Sequence, residues 1–374
     1  MIWYLCNIFI IILIWGQCSI EYKEKPEQFN RQIKYFFLLE TVVWIILSGL
    51  RRIDIGEDTS TYKYMFLREK SVTWGQVMNE FIQKYIFSMN IIDPGYKAFE
   101  KTIHFFTDNY QIYLIILAII IFSTLANFIY KNSRNAFISY MLFCSLFYSF
   151  YAFTGLRQTL ATAICVFLGT DFIKKREIFK FFLCIIVAST IHMSVLCFFP
   201  FYWLSQIKIN RISLSIYWIL IIISYSFRYL FLKLLQRIIG YEQYTDFSAQ
   251  TSPITFLGLL FLVCVFCSLF YSKILIKRKK IKFKNKKKVI SLENREGIMA
   301  INALFIAAIF SSLVLINPSC MRVVNYYSLF LMILLPECGN VIVKKQQKLF
   351  EGICFLILLL LLIRNKPIYY FFWQ

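Results

Sequence analysis

Apolar residues run through this chain in blocks too long for the core of a soluble domain. Such blocks fall at about residues 2–19, 35–50, 111–130, 136–153, 156–173, 180–205, 213–227, 254–272, 298–316, 323–343 and 349–363. A helix rises about 1.5 Å per residue, so about 20 apolar residues cross the roughly 30 Å hydrocarbon layer of a bilayer. The pattern predicts an all-α, polytopic integral membrane protein, with residues 1–374 forming one membrane domain. The N-terminal stretch MIWYLCNIFIIILIWG lacks a basic leader region and a small-residue cleavage site, so it reads as a retained first helix.

The polar connectors set the orientation. Lys-rich and Arg-rich connectors at Lys23–Lys34, Lys131–Arg134, Lys174–Lys180, Lys208–Arg211, Lys273–Lys288 and Lys344–Lys348 belong on the cytoplasmic side by the positive-inside rule. Residues 51–109 then form one large external loop with eight basic and eight acidic residues, and 228–252 form a shorter one. One run breaks the alternation, because Lys174–Lys180 and Lys208–Arg211 should share a side although a single run of about 25 residues separates them. A helical hairpin or re-entrant pair over 180–205, turning near Thr190–Ser194 with His192 at its tip, removes the conflict. Each arm of about 12 residues rises about 18 Å, too little for a full crossing. The expectation is therefore about 10 full transmembrane helices plus this hairpin.

Composition closes off other classes. The chain is 59% hydrophobic, 19% aromatic and 16% charged, with a mean hydropathy of +0.63, which excludes a soluble enzyme, a disordered tail and a disulfide scaffold. A net charge of +21 would point to nucleic acid in a soluble protein, but here most of it is topological. The basic cytoplasmic loop 273–297 alone carries ten basic residues between Lys273 and Lys288, and touches anionic membrane lipid. Most of the eleven cysteines lie inside apolar runs, and the Cys264/Cys267 pair has no His or acid beside it. No metal site and no cofactor are expected.

The candidate chemistry lies on the side opposite the lysines. GLRRIDIGEDTSTYKYMF places Arg52, Gly56, Asp58 and Tyr62 at i, i+4, i+6 and i+10, which also reads as an ordinary helix end and solvated loop. In YAFTGLRQTL a short turn at Gly155 puts Arg157 and Gln158 at a helix mouth. A five-donor guanidinium there suits a phosphate oxyanion, the alternative being a snorkelling arginine. NPSCMRVVNYY repeats the theme with Arg322 and Tyr326. Asp93 in IIDPGYKAF either serves the site or only caps the following helix. His192, one of two histidines, is either a base or a satisfied structural residue. The chain has no phosphate-binding Lys loop, HExxH, serine elbow or GxGxxG, which argues against an ATPase, a zinc protease and a serine hydrolase.

Taken in order, RxxxGxDxxxY at Arg52–Tyr62, DPGY at Asp93–Tyr96, GLRQ at Gly155–Gln158, ASTIHMSVL around His192 and RVVNYY with ILLP at Arg322–Pro336 resemble the EpsG family of Wzy-like polysaccharide polymerases. Glu57 departs from the small residue or Thr common there. The resemblance implies transfer of a growing glycan from undecaprenyl diphosphate to the next lipid-linked repeat unit, at the outer face of the bacterial cytoplasmic membrane. It implies Arg52, Arg157 and Arg322 as the diphosphate clamp, His192 or Asp58 as the base, and Tyr62, Asp93, Tyr96, Gln158 and Tyr326 as substrate contacts. The expected partners are the undecaprenyl-diphosphate-linked oligosaccharide, membrane lipid, and a chain-length regulator and flippase of the same pathway, with no nucleic acid. The alternatives are an O-antigen-type ligase, a flippase or transporter of the lipid-linked unit, and a non-catalytic membrane scaffold.

Overall fold

The computed structural model describes residues 2–24, 26–239, 253–283, 286–341, 346–365 and 368–374, and describes no side chains in 17–31, 238–239, 276–293 or at 340. The chain divides into two compact units: Met1–Lys131, Ala136–Val195 and Phe355–Gln374 in the first, Asn132–Asn135 and Leu196–Cys354 in the second.

The first unit holds α1 (Ile2–Glu24), α2 (Pro26–Gly49), α3 (Thr59–Glu69), α4 (Trp74–Tyr85), α5 (Pro94–Ile103), α6 (Tyr110–Asn132), α7 (Ala136–Leu142), α8 (Leu156–Thr162), α9 (Gly169–Lys175) and α10 (Ile178–Ile191). Wide π-type turns over Phe143–Phe147, Ser149–Thr154 and Ala163–Leu168 join α7 to α8 and α8 to α9. Its core is aromatic: Trp44, fully buried, stacks on Phe122 at 5.6 Å and meets Phe143 edge-on at 4.8 Å. The C-terminal residues are fastened to the end of α2, with Arg52 N donating to Tyr370 O at 3.0 Å and Phe372 N to Leu50 O at 2.9 Å.

The second unit holds α11 (Phe201–Leu204), α12 (Arg211–Ser226), α13 (Arg228–Ile239), α14 (Ile254–Ile274), an antiparallel ribbon of β1 (Ile276–Phe283) and β2 (Lys286–Glu293), α15 (Arg295–Val314), α16 (Met321–Ser328) and α17 (Leu331–Cys338). A last helix, α18 (Gln347–Arg364), begins in this unit and ends in the first. The central element is α15, buried along almost its whole length because Ala300, Ala303, Ala307 and Ala308 let neighbouring helices approach closely. Its one amide in that stretch is satisfied: Asn302 accepts from Tyr217 OH at 2.8 Å and donates to Ile207 O at 3.0 Å.

One short ribbon interrupts an otherwise all-helical fold. Residues 276–283 and 286–293 pair as strands within the basic segment 273–297, where β-branched Ile276, Ile281, Val289 and Ile290 favour extended backbone even among lysines. The rest is helical, as a polytopic membrane protein requires.

Among the described residues five helices are long and apolar enough to cross a membrane, or seven if each bent pair is one span, against the expected ten or so. Hydropathy sums residues and does not see breaks. The run at 213–227 continues into α13 through a 90° bend, and the run at 323–343 is bent by 54° between α16 and α17. Ile2–Gly16, Ala136–Phe147, Ile178–Ile191 and Met193–Leu204 are apolar but short. Within 180–205 the helix stops at Ile191, His192 is extended (φ −156°, ψ 110°), and a 3-10 stretch Met193–Phe198 follows. The two arms fall in different units. Of 228–252, the first half forms α13 and 240–252 lie outside the described residues.

Candidate active site

The DPGY segment organises one cluster in the first unit. Asp93 takes the left-handed conformation (φ 47°, ψ 56°), which Asp tolerates better than most residues, and Pro94 follows at the first position of α5. The next residue must be glycine. A Cβ on Gly95 would lie 2.0 Å from Thr190 Oγ1 and 2.7 Å from the Thr190 carbonyl carbon, so α5 and α10 meet backbone to backbone. Because α10 ends at Ile191, that contact carries the extended His192 to the start of α5. His192 Nδ1 lies 3.5 Å from Asp93 Oδ2, and both residues are buried.

A second side chain reaches the same oxygen. Arg157, in the first turn of α8, donates from Nη1 to Asp93 Oδ2 at 3.0 Å, with a quarter of its side chain exposed. Its guanidinium carbon is 5.7 Å from the centre of the Tyr62 ring. Gly155 caps α8 at φ −87°, ψ 52°, so the bend expected there is made without a left-handed residue. Tyr62 is placed by α3, whose preceding turn needs Gly56 at φ +95° beside Phe153 O. The Tyr62 ring centre is 6.0 Å from that of Tyr96, and Tyr96 OH shares a hydrogen bond of 2.6 Å with Tyr113 OH. Tyr62, Asp93, Tyr96, Arg157 and His192, from four separate stretches of sequence, thus form one cluster.

Behind the cluster lie two buried carboxyl groups that sequence reasoning missed. Tyr113 OH donates to Glu100 Oε1 at 3.5 Å, and Glu69, held by Arg68 at 3.1 Å, is equally buried. Burial first, and then Glu69, push Glu100 up to about 8, against the opposing pull of Arg157. The signal available in sequence was only that acidic residues sit at apolar-face positions of two amphipathic helices.

Other predicted residues lie elsewhere. Arg52 makes a bidentate pair with Asp54 (2.7 and 2.6 Å) and lies 4.2 Å over the Tyr370 ring, which holds Asp54 below the usual carboxylate range. Its neighbour Arg51 is the buried one, donating to Ser48 O and, at 3.4 Å, to Phe153 O. Asp58 is half-buried at the start of α3, where its carbonyl accepts from Tyr62 N at 3.0 Å, and its side chain makes no cap hydrogen bond. Gln158 is buried next to Arg157 on α8. In the second unit Arg322 is half-buried in the first turn of α16, and Tyr326 is fully buried with its ring centre 6.4 Å from that of Phe198. No group of three or more His, Cys, Asp or Glu that could hold a metal occurs among the described residues.

Against this geometry, the model of the EpsG family matches residues 34–371, nearly the whole chain. The chain belongs to the EpsG family. EpsG proteins are Wzy-like, polymerase-type membrane proteins of polysaccharide synthesis. No match was found among curated proteins or among solved structures. In this EpsG protein the family match spans every segment that feeds the cluster, from Tyr62 to His192, and also Arg322.

Proposed function

We propose that this EpsG protein polymerises undecaprenyl-diphosphate-linked oligosaccharide repeat units into capsular, exopolysaccharide or O-antigen chains, at the outer face of the cytoplasmic membrane. The observation that carries the reading is the convergence of a guanidinium and an imidazole on one oxygen of Asp93, in a chain of this family. In this reading the acceptor hydroxyl attacks the anomeric carbon of the donor glycan, the bond to the diphosphate breaks, and the hydroxyl proton goes to His192. Nδ1 faces Asp93, so Nε2 is the nitrogen that takes it, and Asp93 steadies the imidazolium that forms. Asp58 is the second candidate base.

Arg157 meets the charge that develops on the leaving diphosphate. Arg322 and Arg52 are proposed as further diphosphate contacts on the sequence motif, Arg52 once it exchanges Asp54 for the ligand. Tyr62, Tyr96, Gln158 and Tyr326 are proposed to shape the sugar-binding surface. About ten crossings are proposed, none of them a separate arm of 180–205, and a chain-length regulator and a flippase are the proposed pathway partners.

A deletion strain tests the reading. Its lipid-linked intermediates and surface polysaccharide are separated on gels; accumulation of single repeat units on the lipid carrier is expected. Long polymer that never reaches its final acceptor would make the protein a ligase instead, and loss of externally exposed units would make it a flippase.

A further inference from the structure

Helix α4 has three faces. Advancing 100° per residue, Val77 and Phe81 fall on the side turned toward α5, where Glu80 on the same side holds Lys97 of α5 at 2.7 Å. Gln76, Asn79 and Gln83 make a polar, uncharged arc. Between these two sides runs a stripe about 80° wide made of Trp74, Met78, Ile82 and Tyr85, which are 43%, 61%, 39% and 45% exposed. The stripe continues past both helix ends: Phe105, 70% exposed, stacks on Trp74 at 5.9 Å, and Phe87 is 67% exposed. A contiguous apolar surface of this kind marks an interaction site.

We infer that this stripe of α4 is seated in the surface of the bilayer, as an interfacial helix lying flat on the membrane. Two observations select lipid as the occupant. The segment 51–109 is tied at both ends to candidate membrane spans, since α2 ends at Gly49 and α6 begins at Tyr110, so the stripe is held at the membrane boundary. Its residues are the Trp, Tyr, Met and Ile of an interfacial belt, with no charge inside it. Through Glu80–Lys97, this seat fixes the level of α5, whose first turn follows Asp93. The inference rests on the membrane fold and is independent of the proposed reaction.

The test uses the full-length protein in phosphatidylethanolamine–phosphatidylglycerol vesicles, with an environment-sensitive fluorophore on introduced cysteines and the signal of the labelled parent chain subtracted. Labels at Met78→Cys and Ile82→Cys should be quenched by lipids brominated about 5–10 Å below the headgroups and shielded from iodide. Labels at Asn79→Cys and Gln83→Cys should show the reverse. Tyr85→Cys and Gln76→Cys repeat the comparison, so failure of one variant to fold does not remove the test. Iodide quenching of the stripe positions without lipid quenching would overturn the inference. So would efficient crosslinking of Met78→Cys between two copies with no lipid quenching, which would make a second copy the occupant.

Discussion

Asp93 separates chemistry from backbone strain in one series of variants. Its carboxylate accepts from Arg157 at 3.0 Å and faces His192 at 3.5 Å, while its backbone sits at φ 47°. At an effective dielectric of about 20, opposite charges at this separation attract by roughly 5 kcal/mol before desolvation. With a quarter of the Arg157 side chain exposed, the net loss on removing the charge comes to about 1–3 kcal/mol. The left-handed backbone adds about 1–2 kcal/mol against a residue with a plain Cβ, less for Asn, and nothing for Gly. Thermal melts in detergent should therefore rank Asp93→Asn and Asp93→Gly above Asp93→Ala, all below the parent. Polymer formation should fall in all three by about a hundredfold or more, the range expected when a histidine base loses the carboxylate that orients it. If Asp93→Asn polymerises like the parent, or if activity follows the stability ranking and Asn and Gly are spared, Asp93 acts only through the fold and the reasoning is wrong.

Further tests address the neighbours. Gly95→Ala places a methyl 2.0 Å from Thr190 Oγ1 and 2.7 Å from its backbone carbon, so it should cost at least about 1–3 kcal/mol in a melt and not be rescued by Thr190→Ala. Glu100, pushed up to about 8, holds its proton in the folded state where an unfolded Glu has lost it, so stability should fall as pH rises from about 4.3 to about 8 and level off above. Glu100→Gln should flatten that slope, worth a few kcal/mol at most, and melts in buffered micelles would show it. Arg157→Lys keeps the charge but loses the fork, and should cut polymer yield about ten- to a hundredfold with Asp93 still paired; full polymerisation in Arg157→Ala and Arg322→Ala strains would reject the clamp. Polymerisation in vesicles should survive a divalent-ion chelator, and a strong loss would turn attention to Asp54, Glu57 and Asp58 as ligands.

Much of the cluster was legible because its members are polar residues where apolar ones were expected. His192 interrupts an apolar run, Asp93 precedes Pro-Gly, and Arg157 opens a helix after a glycine; the fold brings these three to one oxygen. What periodicity does not carry is which face a residue takes after a helix ends. The motif spacing chose Arg52, yet past Gly49 the chain turns so that Arg51 points inward and Arg52 pairs with Asp54. Asp93 reads as a helix cap in sequence, and its side chain caps nothing. Glu69 and Glu100 carry only a weak signal in sequence because an acidic residue on a loop helix is ordinarily solvated, and their burial depends on packing among Tyr62, Phe66, Tyr96 and Tyr113. Helix breaks at His192 and at Leu329–Phe330 lie inside continuous apolar runs, which is why span counting by hydropathy overshoots the straight helices present.

The most direct measurement of the central claim is turnover by the purified protein in vesicles, supplied only with undecaprenyl-diphosphate-linked repeat units. A ladder of lengthening glycans on lipid, with one undecaprenyl diphosphate released per added unit and both signals lost in Asp93→Asn and His192→Ala, is the predicted result. Repeat units that remain single while the same units are polymerised by a membrane extract lacking this protein would contradict it.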